Sequence, residues 1–63
     1  MKYFLDTYAL IEIIKGNENY KRFLNEELFT SILNLYELYY INLRDYNENL
    51  AKKYFFQFTN LII

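Results

Sequence analysis

The sequence predicts an α/β fold, with two parallel strands flanked by about four helices. Three observations carry that expectation. Two short apolar runs rich in β-favouring residues, at 2–6 and 27–31, are separated by a stretch long enough for a helical crossover. Apolar residues recur at helical spacing over 8–15, 19–24, 34–46 and 48–58. Asparagine- and glutamate-rich breaks punctuate these segments, and no proline occurs anywhere.

The first run, Tyr3-Phe4-Leu5, leads into Asp6-Thr7 and then Leu10, Ile11, Ile13 and Ile14, and Gly16 ends the helical pattern. A strand, a tight turn and a helix follow from that order. Asp6 thereby stands at the carboxyl end of a strand, where open α/β sheets place their ligands. Asn17-Glu18-Asn19 is a polar turn. Tyr20, Phe23 and Leu24 are expected inward on a short helix, with Lys21 and Arg22 solvated. Leu28-Phe29-Thr30-Ser31-Ile32 is the second strand candidate. A helical crossover between two strands makes them parallel and the connection right-handed.

The long helix over 34–46 carries Leu35, Leu38, Tyr36, Tyr39, Tyr40, Leu43 and Tyr46 on a broad arc, with Glu37 and Arg44 on the narrow remainder. Arg44 is expected in a surface ion pair. Glu12 is expected in solvent. In the last helix Leu50, Ala51, Tyr54 and Phe58 share one side, while Phe55, Phe56 and the closing Leu61-Ile62-Ile63 lack an obvious cover.

Composition narrows the function. The 63 residues include no cysteine and no histidine, so disulfides and His/Cys metal centres are excluded. A formal net charge of -1 gives no global basic field to draw in nucleic acid. Asp6 and Glu12 interrupt any signal-peptide core, and no apolar run approaches the ~20 residues of a membrane span. A soluble, cytoplasmic protein is expected. Domains of about 60 residues bury only ~60% of their unfolded surface. With 54% hydrophobic and 22% aromatic residues, the chain carries more apolar surface than so small a body can hide. Self-association is the expected remedy.

Two clusters could carry chemistry: Asp6-Thr7 after the first strand, and Ser31 with Glu37 after the second. Neighbouring parallel strands would deliver both to one sheet edge. Two carboxylates with hydroxyls make a hard oxygen site suited to Mg²⁺ or Mn²⁺. Each residue also has a structural reading. Asp6 has N-cap chemistry, Glu37 stands at capping-box spacing from Asn34, and Thr7 and Ser31 are ordinary turn or cap hydroxyls.

The ordered pattern Leu5-Asp6-Thr7, Leu10-Ile11, Gly16 and Ser31-x-x-Asn34-x-x-Glu37-Leu38 resembles the amino-terminal half of a PIN domain, as in VapC-type toxin ribonucleases. The resemblance covers nearly all of residues 1–63, expected to form a single truncated PIN-like domain. It implies metal-dependent hydrolysis of RNA, with Asp6 and Glu37 as the catalytic, metal-binding acids and Thr7 and Ser31 in support. It further implies Mg²⁺ or Mn²⁺ as cofactor and a possible antitoxin partner, and with only two of the family's acids in so short a chain a homodimer is expected to complete the site. Tyr8 and Asn34 depart from the family's usual small hydroxyl residues. The contrasting expectation is an inactive half domain that serves protein interaction, or a fragment of a longer nuclease.

Overall fold

The computed structural model describes residues 2–62, the side chain of Phe23 apart. Strand β1 (Lys2–Phe4) leads to helix α1 (Thr7–Ile14). A one-turn helix α2 (Glu18–Lys21) and a 3-10 turn (Arg22–Asn25) precede strand β2 (Glu27–Phe29). Helices α3 (Ile32–Asp45) and α4 (Glu48–Phe58) follow, and a 3-10 turn (Thr59–Leu61) ends the described chain. The fold is α/β with two parallel strands and four helices, as the sequence predicts.

The strands pair in register, Lys2 with Glu27, Tyr3 with Leu28 and Phe4 with Phe29. They are shorter than expected because the two residues after each strand serve as a connection and a helix cap. Leu5 N still donates to Phe29 O at 2.8 Å, but Asp6 and Ser31 are already N-caps in extended conformation. Each strand therefore hands its chain to a helix within two residues.

Thr30 joins three segments at this corner. Its hydroxyl donates to Leu5 O at 2.7 Å, its amide donates to Leu61 O at 2.8 Å, and it forms a parallel bridge with Ile62. Leu61 and Ile62, expected to lie uncovered, are instead half-buried against the core. Ile63 lies outside the described residues.

Caps explain the helix boundaries. Asp6, Asn17, Ser31 and Asn47 each accept a backbone N–H at the start of their helix. Helix α1 closes with Gly16 at φ 76°, Gly16 N donating to Ile13 O and Asn17 N to Glu12 O. That paired closure needs a left-handed residue, which glycine adopts without strain. Glu12, expected in solvent, is half-buried and accepts from Asn17 Nδ2 at 2.7 Å, which fastens the turn after α1.

The expected helix over 19–24 divides into α2 and the 3-10 turn, since β2 begins two residues later and the tighter winding rises faster per residue. Leu24, expected inward, is exposed. The core consists of Leu5, Ala9, Leu10, Leu35, Leu38 and Phe58. On α3 the buried residues are Leu35, Leu38 and Asn42, at i, i+3 and i+7. The tyrosines Tyr36, Tyr40 and Tyr46 of the expected apolar arc are exposed.

Thr30→Val keeps the shape of a fully buried residue but leaves the Leu5 carbonyl without its donor. The expected loss is about 1–3 kcal/mol of unfolding free energy, read from urea unfolding followed by circular dichroism. A variant as stable as the wild type would contradict this role for the hydroxyl.

Candidate metal centre

The first acid is placed by the strand-to-helix turn. Asp6 is exposed, and its Oδ1 accepts from Ala9 N at 2.9 Å. Among the described residues no hydrogen bond to Oδ2 is made. Capping and ligation are thus compatible on one carboxylate, because each can use a different oxygen. The adjacent Thr7 hydroxyl donates to Asn34 Oδ1 at 2.9 Å across the α1–α3 contact.

Asn34 is the hinge of the arrangement. While its Oδ1 receives Thr7, its Nδ2 donates to Ser31 Oγ at 2.9 Å. Its backbone N donates to the same Ser31 oxygen at 3.2 Å. The two polar ends of the amide thus serve one neighbour each. Thr7, Asn34 and Ser31 form one chain of hydrogen bonds that fixes the start of α1 to the start of α3.

Glu37 stands on exposed surface of α3, one turn beyond Asn34. Side chains three apart on a helix are neighbours, so Glu37 lies beside the Thr7–Asn34 contact. It does not form the capping box expected with Asn34. The cap of α3 is Ser31, three residues earlier, so Asn34 occupies the third helical position and Glu37 the helix interior. Arg44 does not reach Glu37. It pairs with its neighbour Asp45, Nε to Oδ1 at 2.8 Å. The Arg44 hydrogen bond is the main cause that holds the Asp45 carboxyl below its ordinary value.

The residue types suit a hard cation: an exposed carboxylate at the cap of α1 and a second on α3, while the Thr7 and Ser31 hydroxyls are engaged with Asn34. Magnesium is commonly held by one or two carboxylates together with waters and substrate phosphates, the number that Asp6 and Glu37 would supply. Among the described residues, however, no three His, Cys, Asp or Glu side chains gather into a group able to hold a metal. Any ion on one chain would be weakly held.

Two contributors were not anticipated as such. Thr30 fixes the strand ends beneath the site, and Asn42 is buried on α3. Asn42 follows Leu35 and Leu38 at core spacing, so helical periodicity alone marks it as inward.

The cap role of Asp6 has its own test. Asp6→Ala removes the acceptor of Ala9 N and is expected to cost about 0.5–2 kcal/mol, whereas Asp6→Asn, an equally good cap, stays within a few tenths. Equal losses in urea unfolding would rule out capping as the stabilising role.

The comparisons agree with this architecture. No curated protein and no solved structure gives a match. The family model described as PIN domain matches residues 3–61, nearly the full chain, including both candidate acids and the Thr7–Asn34–Ser31 linkage between them. PIN domains generally use divalent metals and commonly bind RNA. With a nuclease-type fold of two parallel strands and their helices in hand, the chain belongs to the PIN domain family.

Proposed function

We propose that this chain is a divalent-metal-dependent ribonuclease of VapC type, whose active site is completed by homodimerisation. One observation carries the reading: Glu37 lies within an exposed apolar stripe of α3. Leu33, four residues before, and Tyr40, three after, flank it at helical spacing and are 69% and 75% exposed. Phe56 of α4 borders the same surface beside Tyr36.

The aromatic part of this face is already organised. Phe55 stacks on Tyr36 at 6.0 Å and meets Tyr39 edge-on at 5.9 Å. Phe55, expected to lack cover, is thus half-buried within its own chain, while Phe56 remains exposed. Tyr36, Tyr40 and Phe56 together offer on the order of 300–500 Å² of exposed ring surface. A stable interface needs ~800 Å² per partner, so these rings and their neighbours supply a large share. A second copy seated on this stripe would bring a second Glu37 alongside the first. Four acids from two short chains would then stand in place of the two on one.

In this reading Asp6 and Glu37 hold Mg²⁺ or Mn²⁺, Thr7 and Asn34 fix the separation of the two helices that carry them, and Ser31 orients Asn34. The ion, when bound, supplies activation of water and offsets charge on the attacked phosphate. RNA is the substrate, and the cytoplasm, with an antitoxin as regulatory partner, is the setting the VapC reading implies. Residues 1–63 act as one truncated PIN-like unit.

A second reading rests on the lack of a three-acid group among the described residues. There the chain is an inactive PIN module used for protein interaction, or a fragment of a longer nuclease. Sedimentation and activity separate the two. The ribonuclease reading expects a dimer at micromolar concentration, Mn²⁺-dependent cleavage of single-stranded RNA, and loss of Mn²⁺ binding by calorimetry in folded Asp6→Asn. The doubly substituted Leu33→Lys, Tyr40→Lys chain should be monomeric, folded and inactive. A well-folded wild-type monomer, or unchanged Mn²⁺ affinity in Asp6→Asn, would overturn it.

A further inference from the structure

The two strands turn one face to the helices and the other to solvent. Side chains alternate along a strand, so Tyr3, Leu5, Leu28 and Thr30 share the side on which Leu5 and Thr30 are buried and Leu28 packs against the core. Lys2 and Phe4 share the other side with Glu27 and Phe29, their partners in register. There the Phe4 and Phe29 rings meet edge-on at 5.5 Å, and Phe4 is 50% exposed. Lys2 Nζ stands 3.9 Å from Glu27 Oε2, with both side chains largely exposed.

An all-parallel sheet is almost always covered on both faces, and a face that meets water carries polar residues outward. Neither strand follows that second pattern, since each sets a phenylalanine on its outer side. The outer face is therefore one that takes a cover. Its single positive and single negative charge cancel, so no field selects an acidic or a basic partner. The charges are instead separated by position, the cation on β1 and the anion on β2, with the two rings further along the strands.

A second copy of the chain presents the matching pattern. With a two-fold axis running along the strands between β1 and β2, each Lys2 meets the partner's Glu27 and each Phe4 meets the partner's Phe29. An axis across the strands would lay the charges of one copy over the rings of the other. An axis centred on either strand would oppose like charges. The residue pattern thus selects one arrangement.

We propose that the outer face of the β1–β2 sheet is a contact between two copies of this chain, closed by Lys2 with the partner's Glu27 and by Phe4 with the partner's Phe29. The contact does not rest on the ribonuclease reading. It leaves the α3 stripe free, because the core and its helices occupy the opposite side of the sheet. Two rings and two charged side chains offer on the order of 300–400 Å² per copy, well under the ~800 Å² of a standard interface. The sheet contact is accordingly the weaker of the two, and it joins α3-face dimers to one another as concentration rises. Asp6 follows Phe4 by two residues, so the same stacking sets the Asp6 of both copies at one end of the double sheet.

Sedimentation equilibrium tests the contact on the full chain bearing Leu33→Lys and Tyr40→Lys, which lacks the α3 contact. Dimers are expected with a Kd on the order of 0.1–1 mM, above the micromolar range in which that chain is single. Phe4→Thr, which keeps the β-preference, should weaken association about tenfold or more. Lys2→Glu or Glu27→Lys alone opposes like charges twice across the axis and should weaken it about tenfold as well. Mixing these two charge variants one to one restores the pairs between copies while each chain's own pair stays broken. Association should then return to within about threefold of the parent. A mixture no stronger than either variant by itself, unchanged association in Phe4→Thr, or a parent still single at about 1 mM would overturn the contact. Should the doubly substituted parent fold poorly, the same mixing in chains with Leu33 and Tyr40 retained decides the point, read as growth beyond the dimer. Mn²⁺-dependent cleavage by a chain that never exceeds a dimer would overturn the sheet contact alone. Charge-rescued association without cleavage would overturn the ribonuclease reading alone.

Discussion

A fully buried threonine holds the corner on which the candidate site is built. The Thr30 hydroxyl takes the carbonyl of Leu5 and its amide takes that of Leu61, so the ends of β1, β2 and the closing turn meet at one residue. The position demands a side chain that is short, β-branched and able to donate. Valine matches the shape and β-preference but not the hydrogen bond, and serine matches the bond but fills less of the core. With the strand ends fixed, the next residue on each is the cap of a helix. Asp6 and Ser31 are thereby aimed from adjacent strand ends, and the start of α1 is set beside the start of α3.

The hydrogen bonds above that corner convert a local device into a site. Caps satisfy the backbone donors that every helix leaves unpaired at its start. At α1 the capping group is a carboxylate, and only one of its oxygens is engaged. At α3 the capping hydroxyl also receives the Asn34 amide, whose other end receives Thr7. At position 34 the amide's two separate polar atoms reach one neighbour each.

Much of this was legible in the sequence. The spacing of Leu10, Ile11 and Ile14, the stop at Gly16 and the order of the two apolar runs led to the observed elements, with boundaries displaced by about two residues. Those displacements have one cause. Residues 5–6 and 30–31 are extended, as strand residues are, yet serve as connections and caps, and composition does not separate the two uses. The placement of Asp6 after β1 followed from the turn itself. Glu37 was less transparent, because Asn34 and Ser31 are both plausible caps by residue type and only the paired hydrogen bonds choose between them. The arc of tyrosines on α3 was broader than the core it meets: an arc of apolar type does not say which part is covered, and Tyr36 and Tyr40 proved to lie outside. Leu61 and Ile62 were not placeable from sequence, since their cover depends on a bridge to Thr30, thirty-two residues before Ile62.

The pairing distances along the chain have a consequence for the order in which the molecule assembles. Helices α3 and α4 are joined by a short turn at Tyr46 and Asn47, so their packing closes a small loop. The strands pair Lys2 with Glu27, and Thr7 meets Asn34 across 27 residues. Closing the longer loops costs more chain entropy before any contact repays it. The helical hairpin is accordingly the part that can form early and open late, and the strand pairing and the Thr7–Asn34 contact complete after it. Amide exchange at Leu5 against Ala51 reads that order directly. A chain caught part-way through folding would hold its hairpin while the Thr7–Asn34 contact was still open.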